Sequence, residues 1–167
     1  MQLGMHPDAF TALRPSKKLS NTVIRFIKAH ASPEQEDLRT SMIHYKDFGT
    51  ITLLANVLGS LQILAPGKEV TDRDDWLYVR PQPGCLIVNL GDAMLQWMGS
   101  LLRSNVHRIS FAPEPQRFVD WYSLAILFRP EKEESMRRMI GEGDDGEDDN
   151  LTASQWEIKK LPALGRG

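Results

Sequence analysis

The stretch Ile51-Thr52-Leu53-Leu54-Ala55-Asn56-Val57-Leu58-Gly59-Ser60-Leu61-Gln62-Ile63-Leu64 holds two short apolar runs, Ile51 to Leu54 and Leu61 to Leu64, parted by a break containing Gly59. Runs of this length bounded by turn formers read as buried strands rather than helices. The pattern repeats outward from this pair. Trp76 to Val79, Cys85 to Asn89, Val106 to Phe111 and Tyr122 to Phe128 are further runs of the same kind between Gly and Pro breaks. Strands at this spacing predict an all-β core, a sandwich or a barrel. Asp92 to Leu102 is apolar at helical spacing and predicts a short helix or a wide loop between two strands.

The flanks differ from this centre. Residues 1–40 carry Pro7, Pro15 and Pro33 and only one plausible strand, Val23 to Ile27, so they read as an irregular lead-in to a β domain over 41–130. Beyond Arg129-Pro130, residues 131–167 predict short flanking helices. Glu131 to Ile140 has the charge and Met pattern of an amphipathic helix packed on the outside of the core. Gly141 to Asn150, with six acidic residues and three glycines, predicts a solvated, mobile and dispensable loop. Thr152 is a candidate N-cap for a last helix carrying Trp156 and Ile158 and ended by Pro162.

Composition narrows the function. The chain has 167 residues, 41% of them hydrophobic and 25% charged, and a formal net charge of -2, which fits a globular domain and excludes a basic footprint for nucleic acid. Cys85 is the single cysteine, and no long apolar run marks a leader or a membrane anchor. The expectation is a reducing, cytoplasmic location and a small-molecule substrate, with neither nucleic acid nor membrane as partner.

Few residues could build a metal centre. A mononuclear iron site with open positions uses two histidines and a carboxylate on one face of the ion. Of the four histidines, His6 and His30 fall in the lead-in, while His44 and His107 fall in or beside predicted strands, with Asp47 just before Ile51.

Read in order, the segments His44-Tyr45-Lys46-Asp47-Phe48-Gly49-Thr50-Ile51-Thr52-Leu53-Leu54, Gly59 to Leu64, Val88-Asn89-Leu90-Gly91-Asp92, Leu101 to Arg108 and Tyr122-Ser123-Leu124, closing on Arg129-Pro130, resemble the iron(II) and 2-oxoglutarate-dependent oxygenases of the isopenicillin N synthase-like family. The resemblance is to the C-terminal catalytic core. It implies a double-stranded β-helix (jelly roll), iron(II) and 2-oxoglutarate as cofactors, and oxidation of a small organic substrate of the secondary-metabolite kind. It also implies that the family's N-terminal half, which supplies helices and part of the substrate pocket, is missing here.

The same resemblance locates the site and its departures. The family's His-x-Asp ligand pair falls on Tyr45 and Asp47, so Asp47 keeps the ligand role while a phenol stands at the histidine position. The distal histidine falls on His107, inside Ser104-Asn105-Val106-His107-Arg108. The family's Arg-x-Ser, whose arginine pairs with the far carboxylate of 2-oxoglutarate, falls on Trp121 and Ser123, leaving Ser123 as a lone anchor. A family tyrosine expected near Arg25 to His30 is absent. His44 can replace the missing ligand only if a bulge turns it inward, since strand neighbours face opposite ways. Asn89 and Asp92 read as a turn, and Trp76, Trp97 and Trp156 as packing residues. Three functions compete: an impaired oxygenase using Asp47, His107 and His44, a truncated non-catalytic jelly-roll relative serving as a binding or partner module, and, ranked last, a cupin-like metal isomerase or plain small-molecule binder.

Overall fold

A computed structural model describes residues 5–12, 17–31, 43–140 and 146–161. Among these residues seven strands form two antiparallel sheets. Strands β1 (Val23–Ala29), β2 (Ile51–Asn56), β5 (Ile87–Leu90) and β7 (Trp121–Phe128) make a four-stranded sheet in the order β1-β7-β2-β5. Strands β3 (Leu61–Leu64), β4 (Trp76–Tyr78) and β6 (His107–Ile109) make a smaller one in the order β4-β3-β6. The two sheets line a common cavity, the jelly-roll arrangement with short helices at its flanks. The expected runs are the observed strands, within a few residues at their ends.

Strand β1 pairs with β7 along its whole length, from Val23 opposite Leu127 to Ala29 opposite Trp121. Part of the lead-in is therefore an edge strand of the large sheet. Two glycines let the turn before β2 close against its neighbours: a Cβ at Gly49 would collide with the Phe128 carbonyl, and one at Gly91 with the Gly49 carbonyl.

The densest packing is outside the sheets. Helix α1 (Ala9–Ala12) is a single short turn, whereas Trp97 of α2 (Asp92–Met98), Trp156 of α3 (Ala153–Lys160) and Met136 are 0–1% exposed and pack together with Ala93 and Ala153. This cluster corrects one expectation. Glu131 to Ile140 is not a helix but an extended and turning segment, because its backbone is spoken for by the start of α3: Met136 N–H donates to the Leu151 carbonyl at 3.0 Å, and Ala153 N–H to Glu134 at 2.8 Å. Its Met136 fills the core without helical periodicity.

The acidic run is also tied down where it is described. Gly141 to Asp145 lie outside the described residues, but Glu147–Asn150 form a 3-10 turn whose Asp148 accepts from Lys159 Nζ at 2.8 Å and from Trp156 Nε1 at 3.3 Å. The Lys159 hydrogen bond holds the Asp148 carboxyl below its ordinary range. Thr152 caps α3 through a reciprocal box with Gln155.

Candidate active site

The site lies between the sheets. Arg25 and Ile27 on β1, Thr52 and Leu54 on β2, and His107 and Ile109 on β6 all line one cavity. Each pair is spaced by two, since alternate side chains on a strand share a face. Trp121 and Ser123 of β7 line it by the same parity, as do Tyr45 and Asp47 just ahead of β2. Tyr45 is fastened to β6 by two backbone hydrogen bonds with His107, both 3.0 Å.

Asp47 is 7% exposed, and its two oxygens have different tasks. Oδ2 accepts from the Thr52 hydroxyl at 2.7 Å and from the Asn89 amide at 2.9 Å. Thr52 and Asn89 are register partners across β2 and β5, so the sheet itself aims both donors. Oδ1 faces His107 Nε2 at 3.8 Å. That is beyond hydrogen-bond range, yet two donors about 2.1 Å from one metal lie roughly 3 to 4 Å apart. His107 Nδ1 sits 3.1 Å from the Asn105 carbonyl. With the ring neutral and its proton on Nδ1, Nε2 presents its lone pair toward Asp47, the orientation that metal-binding histidines adopt.

The third position is occupied differently. The Tyr45 ring meets His107 edge-on, centroids 4.5 Å apart. Burial first, then the charge of Asp47, push its phenol above the ordinary 10.0, with Arg25 opposing. It stays neutral at neutral pH and is a poor donor to a metal. His44 is turned to the other face of its segment, its ring 6.1 Å from Trp76, and does not line the Asp47 cavity. Among the described residues no three His, Cys, Asp or Glu side chains gather where they could hold an ion.

At the far end Trp121 is 8% exposed and its indole donates to Asn56 Oδ1 at 2.6 Å. It borders two small cavities, one toward Asp47 and one toward Ser60 and Arg117, each about 70 Å³. Ligand pockets usually run from ~300 Å³ upward. Ser123 is buried against the first of these cavities, with no arginine at the position two residues before it. Sequence reasoning passed over Thr52 and read Asn89 as a turn residue. Parity from Asp47 was available to find the inward Thr52, whereas Asn89 needed the strand register.

Residues 19–130 match the model of the 2OG-Fe(II) oxygenase superfamily, and the chain belongs to that family. Iron(II) and 2-oxoglutarate are the family's cofactors. A 2-oxoglutarate-dependent dioxygenase, frbH, of Dothideomycetidae sp. (strain 11243) is 34% identical over 131 residues, 77% of this chain and 37% of that protein. Among solved structures, a putative 2OG-Fe(II) oxygenase family protein from Caulobacter crescentus is 27% identical with TM-score 0.66, over 86% of this chain and 46% of that one. A full-length Neurospora crassa protein in complex with alpha-KG and thymine shares the fold at 19% identity with TM-score 0.70, over 85% and 44%. The chain spans less than half the length of each of these three.

Set against those cofactors, the residues fit only in part. Asp47 and His107 are suited to two positions of an iron(II) site, but Tyr45 is not suited to the third. The cavity beside Trp121 is too small for a five-carbon diacid and offers no cation at the position where the family's arginine stands.

Proposed function

We propose that this chain is the jelly-roll core of an iron(II) and 2-oxoglutarate-dependent oxygenase with an impaired centre, its substrate a small organic molecule of the secondary-metabolite kind. The observation that supports this most is Trp121, bonded to Asn56 and filling the space beside Ser123. An indole supplies no charge for a carboxylate, and exchanging it for arginine would add a charge-assisted pair worth about 1.5 to 3 kcal/mol. Asp47 and His107 form the retained half of the metal site, and a divalent ion held by two protein donors is held weakly.

The second reading, a non-catalytic binding or partner module, is favoured by the same plug and by the neutral Tyr45. Anaerobic addition of iron(II) and 2-oxoglutarate separates the two. On the first reading the visible metal-to-ligand charge-transfer band is faint in the natural chain and strong in Tyr45→His/Trp121→Arg. A band absent even from the double variant would leave the binding-module reading. A full-strength band in the natural chain would end the proposal of impairment.

A further inference from the structure

Strand β6 has two faces, and the one turned away from Asp47 carries chemistry that the oxygenase site does not use. Arg108 follows His107 and therefore points outward, onto the small sheet's other side. It is 7% exposed, its guanidinium lies 4.0 Å from the centre of the Trp76 ring, and its Nε donates to Gln62 Oε1 at 2.7 Å. Among the described residues no carboxylate comes within ion-pair distance of it. A buried charge without a counter-ion is costly, and a stacked ring and one amide offset that cost only in part. Burial pushes the Arg108 pKa down, Tyr78 opposes that shift, and the nearby charge of Arg73 adds to it. Arginine nonetheless stays protonated at any ordinary pH.

The guanidinium faces a cavity of about 490 Å³, within the range of small-molecule pockets. Arg73 lines the same cavity, is exposed, and has no ion pair among the described residues. Three arginines face it against two acids, Asp74 and Glu114, and Glu114 is already paired with Arg117 at 2.8 Å. The remaining wall mixes polar Gln62 and Ser110 with two aromatic residues, Tyr78, whose hydroxyl donates to the Phe111 carbonyl at 3.2 Å, and Phe111 itself.

We propose that this outer face of the small sheet binds a small aromatic carboxylate, its carboxylate bridging Arg108 and Arg73 and its ring lying against Tyr78 and Phe111. The planar fork of arginine suits a carboxylate, and the ligand supplies the charge that the fold leaves out. The proposal stands independently of iron or 2-oxoglutarate, because the site is on the opposite face of β6 from the Asp47 cavity.

The test is an amide NMR titration of the full chain with benzoate, with neutral benzamide and inorganic phosphate as separate arms. Benzoate should shift the Gln62, Tyr78 and Arg108 signals saturably in the millimolar range, benzamide should not, and phosphate should bind more weakly. Arg73→Gln, at an exposed position, should weaken benzoate by about tenfold, the size of one lost charge-assisted bond. Arg108→Lys, checked for folding by thermal melting, should weaken it at least as much because the stacked plane is lost. No saturable shift at roughly 10 mM, equal binding by benzamide, or unchanged binding in Arg73→Gln would overturn the proposal. Phosphate binding as tightly as benzoate would overturn the aromatic class of ligand.

Discussion

At one end of the inter-sheet cavity the Asp47 carboxylate is fixed by Thr52 and Asn89 and faces His107, while at the other Trp121 is bonded to Asn56 and occupies the space itself. The contrast lies in how deeply each end is joined to the fold. Thr52 and Asn89 are a cross-strand pair, so the cradle around Asp47 is part of the sheet and changes only if the sheet does. Residue 121 is a single inward position at the start of β7, where a large ring can replace a charge and find one new hydrogen bond. The scaffold at the Asp47 end is thus harder to change than the single inward position at the other end.

The largest effect on stability is expected at the cradle. Asp47→Ala leaves a buried hydroxyl and a half-buried amide without their acceptor, and should cost about 3 kcal/mol in urea unfolding. A loss near zero would mean that the cradle is not structural, and the contrast between the two ends would fail. Trp121→Phe keeps most of the bulk but leaves the Asn56 side chain, whose Nδ2 already has no hydrogen-bond partner among the described residues, without its Oδ1 bond. A loss of about 1 to 2 kcal/mol should follow. Equal costs at the two positions would put both ends on the same structural footing.

Tyr45 gives the smallest effect, visible only in alkali. Its folded-state pKa is raised, so above about 10 the unfolded chain releases a proton that the folded chain retains. Stability therefore falls as pH rises through that value, and Tyr45→Phe should flatten the fall. Parallel alkaline curves for the two proteins would show that the phenol is not held neutral by its surroundings.

Most of the fold was legible because strands announce themselves by short apolar runs between breakers, and these runs became β2 to β7. The segment Glu131 to Ile140 was not legible. Its Met136 is a core residue, but the partner of its backbone is the start of α3, a pairing no local pattern reveals. Asp148 was read with its acidic neighbours as solvated, whereas Lys159 and Trp156 hold it. In the site, parity placed Tyr45 with Asp47 and turned His44 away, and the structure brings together Asp47, His107 and Ser123 but not His44. Arg108 on its outward face went unread because the adjoining histidine drew the argument inward.

On the proposed reading, Asp47 and His107 keep the metal half of the site while Trp121 closes the co-substrate half. Calorimetric titration of 2-oxoglutarate, in anaerobic iron(II), into the natural chain, Tyr45→His, Trp121→Arg and the double variant tests it most directly. Trp121→Arg should tighten binding by roughly 10- to 100-fold, the worth of a bidentate charge-assisted pair out of water. The double variant should exceed the sum of the two single gains in free energy, because one ligand touches both metal and arginine. Tight binding by the natural chain, unimproved by Trp121→Arg, would show that Trp121 does not close the co-substrate site.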